Sequence, residues 1–263
     1  MKFSLILPTR DRHALFQRCI ASIYSHTAKK NEIEILVICD NDDPGSTLYA
    51  QDAIRQYPAL NMKLLMRDRS EFSNRDYYNW AADQSSGELV WIFADDLEIV
   101  KFNWDVVIWD GYQHAKKTRP DNCLCLNIRD NTPVPRHDMP KFPCFPMFTR
   151  ECRNLFDWYL HPAPPNWGTD YICYQIFQPL DRLIPFQDDN FINHISYHTH
   201  QVETDETGLR IGRIFNRLKM RPEHNTDRIL SEEVPKLREK LQKHINSFFE
   251  NKVMPPLWQE GSK

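Results

Sequence analysis

Four short apolar runs alternate with helix-like patterns over the first hundred residues of this chain. The runs are typical of buried strands and cover residues 3–7, 33–39, 62–66 and 89–93. Between the first two, apolar side chains recur at three- and four-residue spacing, as on the buried stripe of a helix. A strand reaches a parallel neighbour only by crossing over the sheet, which favours right-handed strand–helix–strand units. We therefore expect an α/β fold with a doubly wound, mostly parallel sheet flanked by helices.

Polar residues follow each of the four predicted strands. In doubly wound sheets, ligands bind beyond the carboxyl ends of the strands, where the loops diverge. The four polar segments at these ends are Thr9-Arg10-Asp11, Asp40-Asn41-Asp42-Asp43, Arg67-Asp68-Arg69 and Asp95-Asp96. We expect them to meet in a single site. A guanidinium offers phosphate a planar fork, so Arg67, Arg69 and, ranked lowest, Arg75 are candidates, with a surface salt bridge as the alternative for each.

Asp95 and Asp96 stand directly after a fully apolar strand. Adjacent carboxylates repel each other, so a cation, an arginine or good solvation must offset their charge. Hard oxygen ligands suit Mg²⁺ or Mn²⁺ bridging a diphosphate. An isolated acidic pair is more often a solvated turn or a helix cap, and the buried strand before this pair is what favours a binding role.

The composition disfavours several classes of protein. The 263 residues suffice for one large α/β domain, and 41% hydrophobic with 26% charged residues is typical of soluble folded proteins. A net charge of −3 disfavours a nucleic-acid partner. Seven cysteines without a Cys-x-x-Cys pair disfavour a disulfide framework and a zinc ribbon. The N-terminus lacks the features of a signal peptide, so we expect a cytoplasmic protein, at most peripheral at the inner face of the membrane.

Three segments together resemble the family 2 glycosyltransferases, which have the GT-A fold. They are LILPTRDR from Leu5, ILVICDNDDP from Ile35 and SGELVWIFADD from Ser86. The match in order and spacing covers about the first 110 residues. The resemblance implies transfer of a sugar, with inversion, from a nucleotide-diphosphate sugar to a hydroxyl group of a glycan or lipid-linked acceptor. It also implies a divalent cation, Mn²⁺ or Mg²⁺, and favours a UDP-sugar as the donor.

The resemblance assigns roles at the nucleoside. Pro8, Thr9 and Arg10 would run beside it, and an acidic residue after the second strand would accept a hydrogen bond from the base. The usual Asp-Asp-Gly-Ser of the family is replaced here by DNDDP. Asp40 is therefore favoured for the base contact, and Asp42 is kept as its rival.

The cation site would combine the acidic pair with a late histidine. By the same resemblance, Asp95 lies beside the pyrophosphate and Asp96 binds the cation in an Asp-x-Asp-type motif. Period-two alternation in NHISYHTH places His194, His198 and His200 on one face of a predicted strand. Similar enzymes often complete the cation shell with a histidine, so His198 or His200 is the expected ligand. A zinc site lacks supporting cysteines or acidic spacing, and a structural role stays open for each histidine.

Asp170 is the candidate general base. It lies in the aromatic segment WGTDY from Trp167, before a predicted helix, where similar enzymes carry their base. A carboxylate within hydrogen-bond reach can take the proton of the acceptor hydroxyl as its oxygen attacks the anomeric carbon. Capping of the helix explains the residue equally well. Asp157, Asp188 and Asp189 are weaker candidates.

The chain divides into three parts. Residues 1–128 are expected to form the nucleotide-sugar-binding half of one domain, residues 129–205 its acceptor-binding half, and residues 206–263 a C-terminal helical extension. Five prolines between positions 133 and 146 predict an extended, substrate-covering loop at the start of the second part.

Two other functions fit parts of the pattern. A sugar nucleotidyltransferase also uses a doubly wound domain and a divalent cation, but it needs a glycine-rich loop after the first strand. Here that position reads PTRDR, and the whole chain has seven glycines. A nucleotide- or carbohydrate-binding protein without catalysis would keep the same pocket, and release of nucleoside diphosphate from a donor distinguishes it from an enzyme.

Overall fold

The computed structural model describes residues 1–131, 142–186, 190–195, 206–218 and 220–253. Within these segments the strands are β1 Phe3–Pro8, β2 Ile33–Asp40, β3 Asn61–Arg67, β4 Leu89–Ile92, β5 Leu97–Ile99, β6 Cys125–Ile128, β7 Met147–Thr149, β8 Leu183–Phe186 and β9 Ile192–His194. The α-helices are α1 His13–His26, α2 Pro44–Gln56, α3 Trp80–Ala82, α4 Trp104–Thr118, α5 Arg150–Phe156, α6 Thr169–Phe177, α7 Glu206–Leu218, α8 Thr226–Arg228 and α9 Val234–Val253. Two π-helical turns, Asn74–Asn79 and Ile229–Glu233, lead into α3 and α9.

Among the described residues, seven strands form the central sheet in the order β3-β2-β1-β4-β7-β6-β8. β1 lies parallel between β2 and β4, with Phe3 opposite Ile33 and Leu89, and β3 continues the parallel group. β7 runs antiparallel to both of its neighbours, whereas β6 and β8 are parallel to each other. β5 and β9 form a small antiparallel sheet beside this one. The prediction of an α/β fold with a mostly parallel sheet is thus confirmed.

Both faces of the sheet are buried, which explains why its strands read as continuous apolar runs. Successive residues of β1 enter different cores: Leu5 and Leu7 belong to one hydrophobic core and Ile6 to the other. Helices α1, α2 and α4 close the first core, which contains Trp91 and Trp104. Helices α5, α6 and α9 close the second. The sheet is therefore held rigidly from both sides.

The C-terminal helix differs in detail from its sequence pattern. The sequence predicts one helix over 227–249, in which Pro235 either causes a kink or marks the start. The structure has α8, a π-helical turn and α9 in direct succession, so Pro235 lies inside one continuous helical run, just after the π-helical turn, and it does not mark the start of the helix. The apolar stripe of α9 packs into the second core through Leu241 and Ile245. None of the described helices is long and apolar enough to cross a membrane.

The helix that follows β3 is joined to the segment before α6. Ser73 is predicted to cap this helix, but the prediction is wrong, because Ser73 has helical backbone angles and its hydroxyl donates to the carbonyl of Pro165 at 2.9 Å. Asn74 Nδ2 donates to the carbonyl of Pro164 at 2.9 Å and to the hydroxyl of Thr169 at 2.6 Å. These tertiary hydrogen bonds fix the start of α6 against the first half of the chain.

Candidate active site

The carboxyl ends of β1 to β4 meet at one edge of the sheet. Asp40 and Arg67 are register partners across β2 and β3. Thr9 extends β1, because its N–H donates to the carbonyl of Ile38 at 3.0 Å. The Thr9 hydroxyl donates to Oδ2 of Asp95 at 2.8 Å. The four polar segments therefore form one group, in which Thr9 links the end of β1 to the acidic pair.

An arginine offsets the charge of the acidic pair. Arg12 Nη1 lies 3.1 Å from Oδ1 of Asp95 and 3.3 Å from Oδ2 of Asp96. Burial raises the pKa of Asp95 to about 6, with Arg12 opposing and the charge of Asp96 adding to the rise. Although burial opposes it, hydrogen bonding and charge from His194, together with Arg12, lower the pKa of Asp96. The sequence pattern offers an arginine as one possible counter-charge, but it does not single out Arg12.

His194 is the histidine that the described structure brings to the acidic pair. Its Nε2 lies 3.7 Å from Oδ2 of Asp96, and its ring packs edge-on against Phe145. β9 places it there by pairing with β5, which follows the acidic pair directly. The predicted ligands His198 and His200 lie outside the described residues and stay predictions.

One oxygen of Asp96 is suited to a cation. Oδ1 of Asp96 is buried and has no hydrogen-bond partner in the part of the chain that the structure describes. A buried carboxylate oxygen without a partner is costly, so this atom fits a ligand. Carboxylate oxygen and imidazole nitrogen both suit Mn²⁺, so Asp96 and His194 fit a divalent cation. The described residues hold no cluster of three or more His, Cys, Asp or Glu side chains arranged for a metal, and diphosphate oxygens can complete such a shell.

Arg10, Asp40 and Asp42 form an ion-paired cluster at the ends of β1 and β2. Arg10 Nη1 donates to Oδ2 of Asp40 at 2.9 Å and to Oδ1 of Asp42 at 2.6 Å. Tyr77 donates its hydroxyl to the other oxygen of Asp40. The Asp40 side chain is 4% exposed, whereas that of Asp42 is 54% exposed. Pro8 ends β1 two residues before Arg10. Asp40 is thus the buried, oriented carboxylate and Asp42 the solvated one.

Separate replacement of Asp40 and Asp42 tests which of them, if the resemblance holds, contacts a nucleoside base. A carboxylate accepts up to about four hydrogen bonds, so Asp40 keeps capacity for a base N–H while Arg10 and Tyr77 orient it. We expect Asp40→Asn to weaken nucleoside-diphosphate binding about tenfold, the loss of one charge-assisted hydrogen bond. Asp42→Asn should weaken nucleoside-diphosphate binding less than about threefold, because the ion pair of Asp42 is exposed. Titration calorimetry measures both; a larger loss in Asp42→Asn would move the assignment to Asp42.

The three predicted phosphate-binding arginines occupy different places. Arg67 lies over two aromatic rings of the following helix, 4.8 Å and 5.2 Å from their centroids. Arg69 Nη1 is 4.0 Å from Oδ2 of Asp42. Arg75 pairs with its neighbour Asp76 at 2.9 Å on the surface. The structure therefore brings Arg67 and Arg69 to the part of the edge that holds Asp40 and Asp42, and Arg75 forms the surface salt bridge that its sequence pattern left as the alternative.

Two more side chains are influenced by the charges of the site from places that the sequence pattern does not indicate. Burial raises the pKa of Tyr78, and the charges of Asp96 and Asp95 add to the rise. Burial and the charge of Arg69 lower the pKa of Arg210 on α7. Arg217 on α7 forms an ion pair with Glu71, which lies in the loop after β3. No local signal identifies Arg210, because tertiary packing alone puts α7 here.

Asp170 lies at the second position of α6 rather than at its N-cap. One carboxylate oxygen accepts from the N–H of Tyr171 at 2.9 Å, so part of a capping role is present. Burial raises the pKa of Asp170 to about 6, and the charge of Asp130 contributes. Asp130 forms a backbone bridge with Ile192 in β9, the strand that carries His194.

The weaker candidates for the base are placed only in part. Asp157 is the C-cap of α5 in the left-handed conformation, with φ of 65°, and ending that helix accounts for its position. Asp188 and Asp189 lie outside the described residues. Most of the predicted covering loop, residues 132–141, lies outside them too, and the ring of Phe142 after it packs edge-on against α6.

Comparison with known sequences gives a limited match. No protein-family model matches the chain. The O-antigen biosynthesis protein RfbC of Myxococcus xanthus is 28% identical over 116 residues. The match covers 39% of this chain and 8% of that protein, so the chain spans a small part of the relative's length.

Solved structures match the fold over nearly the whole chain. S. aureus TarS 1–349 in complex with UDP has a TM-score of 0.56 at 14% identity, covering 95% of this chain and 92% of that one. The mannosyltransferase PcManGT from Pyrobaculum calidifontis, in complex with GDP-Man and Mn²⁺, has a TM-score of 0.54 at 12% identity, covering 97% and 76%. GalNAc-T7 with UDP, GalNAc and Mn²⁺ has a TM-score of 0.55 at 14% identity, covering 96% and 57%. At these identities the likeness is one of fold. The chain therefore has the GT-A glycosyltransferase fold.

Proposed function

We propose that this chain is a glycosyltransferase that takes a sugar from a nucleoside-diphosphate donor. The observation that carries the proposal is the acidic pair at the end of β4, where a buried oxygen of Asp96 lacks a partner and His194 stands beside it. The fold supports it, since neighbours in this fold are solved with UDP, UDP-GlcNAc or GDP-Man. The resemblance of the first segments favours a UDP-sugar.

Donor binding would use the edge of the sheet from β3 to β4. Asp40 would accept a hydrogen bond from the base, and the arginines around it would face the ribose and phosphates. Asp96 and His194 would hold Mn²⁺ or Mg²⁺, with His198 or His200 as a further ligand. A bound divalent cation neutralises the charge that develops on a departing diphosphate.

Asp170 would take the proton of the acceptor hydroxyl. With a pKa of about 6, Asp170 is ionised at neutral pH and is a stronger base than an ordinary aspartate. In-line attack by the acceptor oxygen would invert the configuration at the anomeric carbon. The exposed ring of Trp167, in the loop before α6, offers a surface on which a sugar of a glycan or lipid-linked acceptor can pack.

The proposal includes the organisation of the chain. Residues 1–128 would bind the donor, residues 129–205 would bind the acceptor, and residues 206–263 would form a helical extension. Arg210 supports a contribution of this extension to the donor side, because the charge of Arg69 acts on it. We also propose a cytoplasmic protein with at most peripheral membrane contact.

A thermal-shift panel tests the proposed function. The protein is heated with UDP-, GDP-, CDP- and dTDP-sugars, each with and without Mn²⁺. A ligand of the folded state raises apparent stability by mass action, by about 2.7 kcal/mol at a hundredfold excess over Kd. We expect a Mn²⁺-dependent rise with one nucleotide series, the uridine series. Absence of any shift across the whole panel would contradict the proposal.

Donor hydrolysis separates an enzyme from a binding protein. The donor that gives the shift is incubated with the protein and Mn²⁺ but without acceptor. An enzyme of this class slowly releases nucleoside diphosphate, because water substitutes for the acceptor. A shift without release would favour the nucleotide-binding protein over the glycosyltransferase.

A further inference from the structure

Arg12 bridges the two carboxylates of the acidic pair with a single nitrogen. Its Nη1 lies 3.1 Å from Oδ1 of Asp95 and 3.3 Å from Oδ2 of Asp96. The Arg12 side chain is 16% exposed, so this contact is mostly shielded from water. One positive charge therefore stands between two negative charges, as a bound cation would.

The loop before α1 fixes the backbone of Arg12, from which the side chain extends to the acidic pair. Asp11 has left-handed backbone geometry, with φ of 50°. Its N–H donates to Oδ2 of Asp43 at 3.1 Å and to the hydroxyl of Ser46 at 2.9 Å, so the start of α2 holds the loop in place. The guanidinium of Arg12 stands at the end of a long, rotatable chain. Rotation of this side chain, with the loop in place, would take the guanidinium off the acidic pair.

A divalent cation and the guanidinium of Arg12 compete for the acidic pair. Like charges a few ångström apart repel strongly in a shielded site. Oδ1 of Asp96 has no partner among the described residues, but Arg12 stands at the other oxygen of the same carboxylate. Cation binding would therefore favour movement of Arg12 away from the pair. A diphosphate offers the anionic oxygens to which a guanidinium fork is suited.

We propose that Arg12 holds the place of the cation in the donor-free protein and moves onto the diphosphate when cation and donor bind together. The inference rests on the proposed function of this site. It predicts positive coupling between the two ligands: the cation alone must displace Arg12, whereas the donor gives Arg12 another anion to bind. Arg12 is then a residue that makes cation binding depend on the donor.

Binding measurements on Arg12→Gln test the coupling. Mn²⁺ binding without nucleotide is followed by the EPR signal of free Mn²⁺, and binding of UDP and GDP by calorimetry with and without Mn²⁺. We expect Arg12→Gln to bind Mn²⁺ alone about tenfold more tightly and to bind the nucleotide with Mn²⁺ about tenfold more weakly, which removes most of the coupling. Arg12→Lys keeps the charge but loses the fork, so Mn²⁺ affinity should stay near that of the wild type while nucleotide affinity falls.

Arg18→Gln is the matched control. Arg18 lies on α1 and forms a partly exposed ion pair with Glu98, so the substitution removes the same charge without touching the acidic pair. It should leave the affinities for Mn²⁺ and for nucleotide unchanged.

Unchanged or weaker Mn²⁺ binding by Arg12→Gln overturns the inference, and so does tighter Mn²⁺ binding with unchanged nucleotide affinity. If the wild type binds neither UDP nor GDP, the proposed function fails, and the Mn²⁺ comparison alone still decides whether Arg12 holds the cation's place.

Discussion

Asp96→Asn is expected to lower the rate of sugar transfer by about 100- to 1,000-fold, the size of effect seen when one group that stabilises transition-state charge is removed. Asn keeps the shape of the side chain but loses the charge with which Asp96 would hold the cation. The Mn²⁺-dependent part of the thermal shift should disappear with the activity. The melting temperature without ligand should change little: Asn loses the charge that faces Arg12 and His194, but Arg12 keeps Asp95 and the repulsion between the two carboxylates is relieved.

Glu98→Gln is the control for this substitution. Glu98 lies on β5, two residues after Asp96, and pairs with Arg18 at 2.7 Å. A partly exposed pair of this kind contributes about 0 to 1 kcal/mol, so transfer activity should stay near that of the wild type. Full activity in a folded Asp96→Asn protein would show that the cation site lies elsewhere.

Asp170→Asn is expected to lower kcat by about 100- to 10,000-fold, the usual contribution of a general base. Donor binding should be unchanged, because Asp170 belongs to α6 and not to the donor edge of the sheet. The measurements are initial rates of transfer and the thermal shift with donor and Mn²⁺. If Asp170 only caps the helix, the Asp170→Asn protein should lose some stability and keep the wild-type kcat.

The pH dependence gives Asp170 a second signature, and loss of the acid limb in Asp170→Asn separates it from Asp95, whose pKa is also about 6. Its pKa is raised to about 6 by burial. Only the ionised form accepts a proton, so kcat should fall about tenfold per pH unit below pH 6. The effect of Asp170 on the free energy of unfolding has the opposite sign. Burial disfavours the charged carboxylate in the folded state, so Asp170 destabilises the fold above pH 6. This destabilisation disappears as the pH falls towards the ordinary aspartate pKa near 4. Asp170→Asn should therefore be at least as stable as the wild type at pH 8.

Asp157→Asn serves as the matched control for Asp170→Asn. Asp157 ends α5 in the left-handed conformation, which asparagine also adopts readily. Both kcat and the pH profile should match those of the wild type. The assignment of Asp170 as the base is refuted if Asp170→Asn retains wild-type kcat and the same acid limb.

The ends of the helices and strands show how much of the secondary structure the local sequence pattern predicts. The sequence predicts a helix from Ser46, and the structure begins α2 at Pro44. The earlier start follows from turn chemistry: Asp43 is the N-cap and accepts from the N–H of Ser46 at 3.1 Å, while Pro44 takes the first helical position. β2 is buried along its whole length, so its apolar run is the signal of a central parallel strand.

The candidate site could be predicted where it depends on strand ends. Thr9, Asp40 and Asp95 each follow or end a parallel strand, so their convergence follows from the order of the elements. The choice between Asp40 and Asp42 could not be settled in this way. Burial separates them in the structure, because Tyr77 and Arg10 enclose Asp40 and leave Asp42 in solvent.

The sequence by itself determined the parallel sheet, its crossovers and the acidic end of β4, because periodicity and turn chemistry act over a few residues. Only the tertiary structure decided that Arg12 bridges the acidic pair and that His194 meets Asp96. It also decided that Arg210 on α7 is influenced by the charge of Arg69. These contacts join segments far apart in the chain, and no local pattern specifies which distant charges will meet once both faces of the sheet are packed.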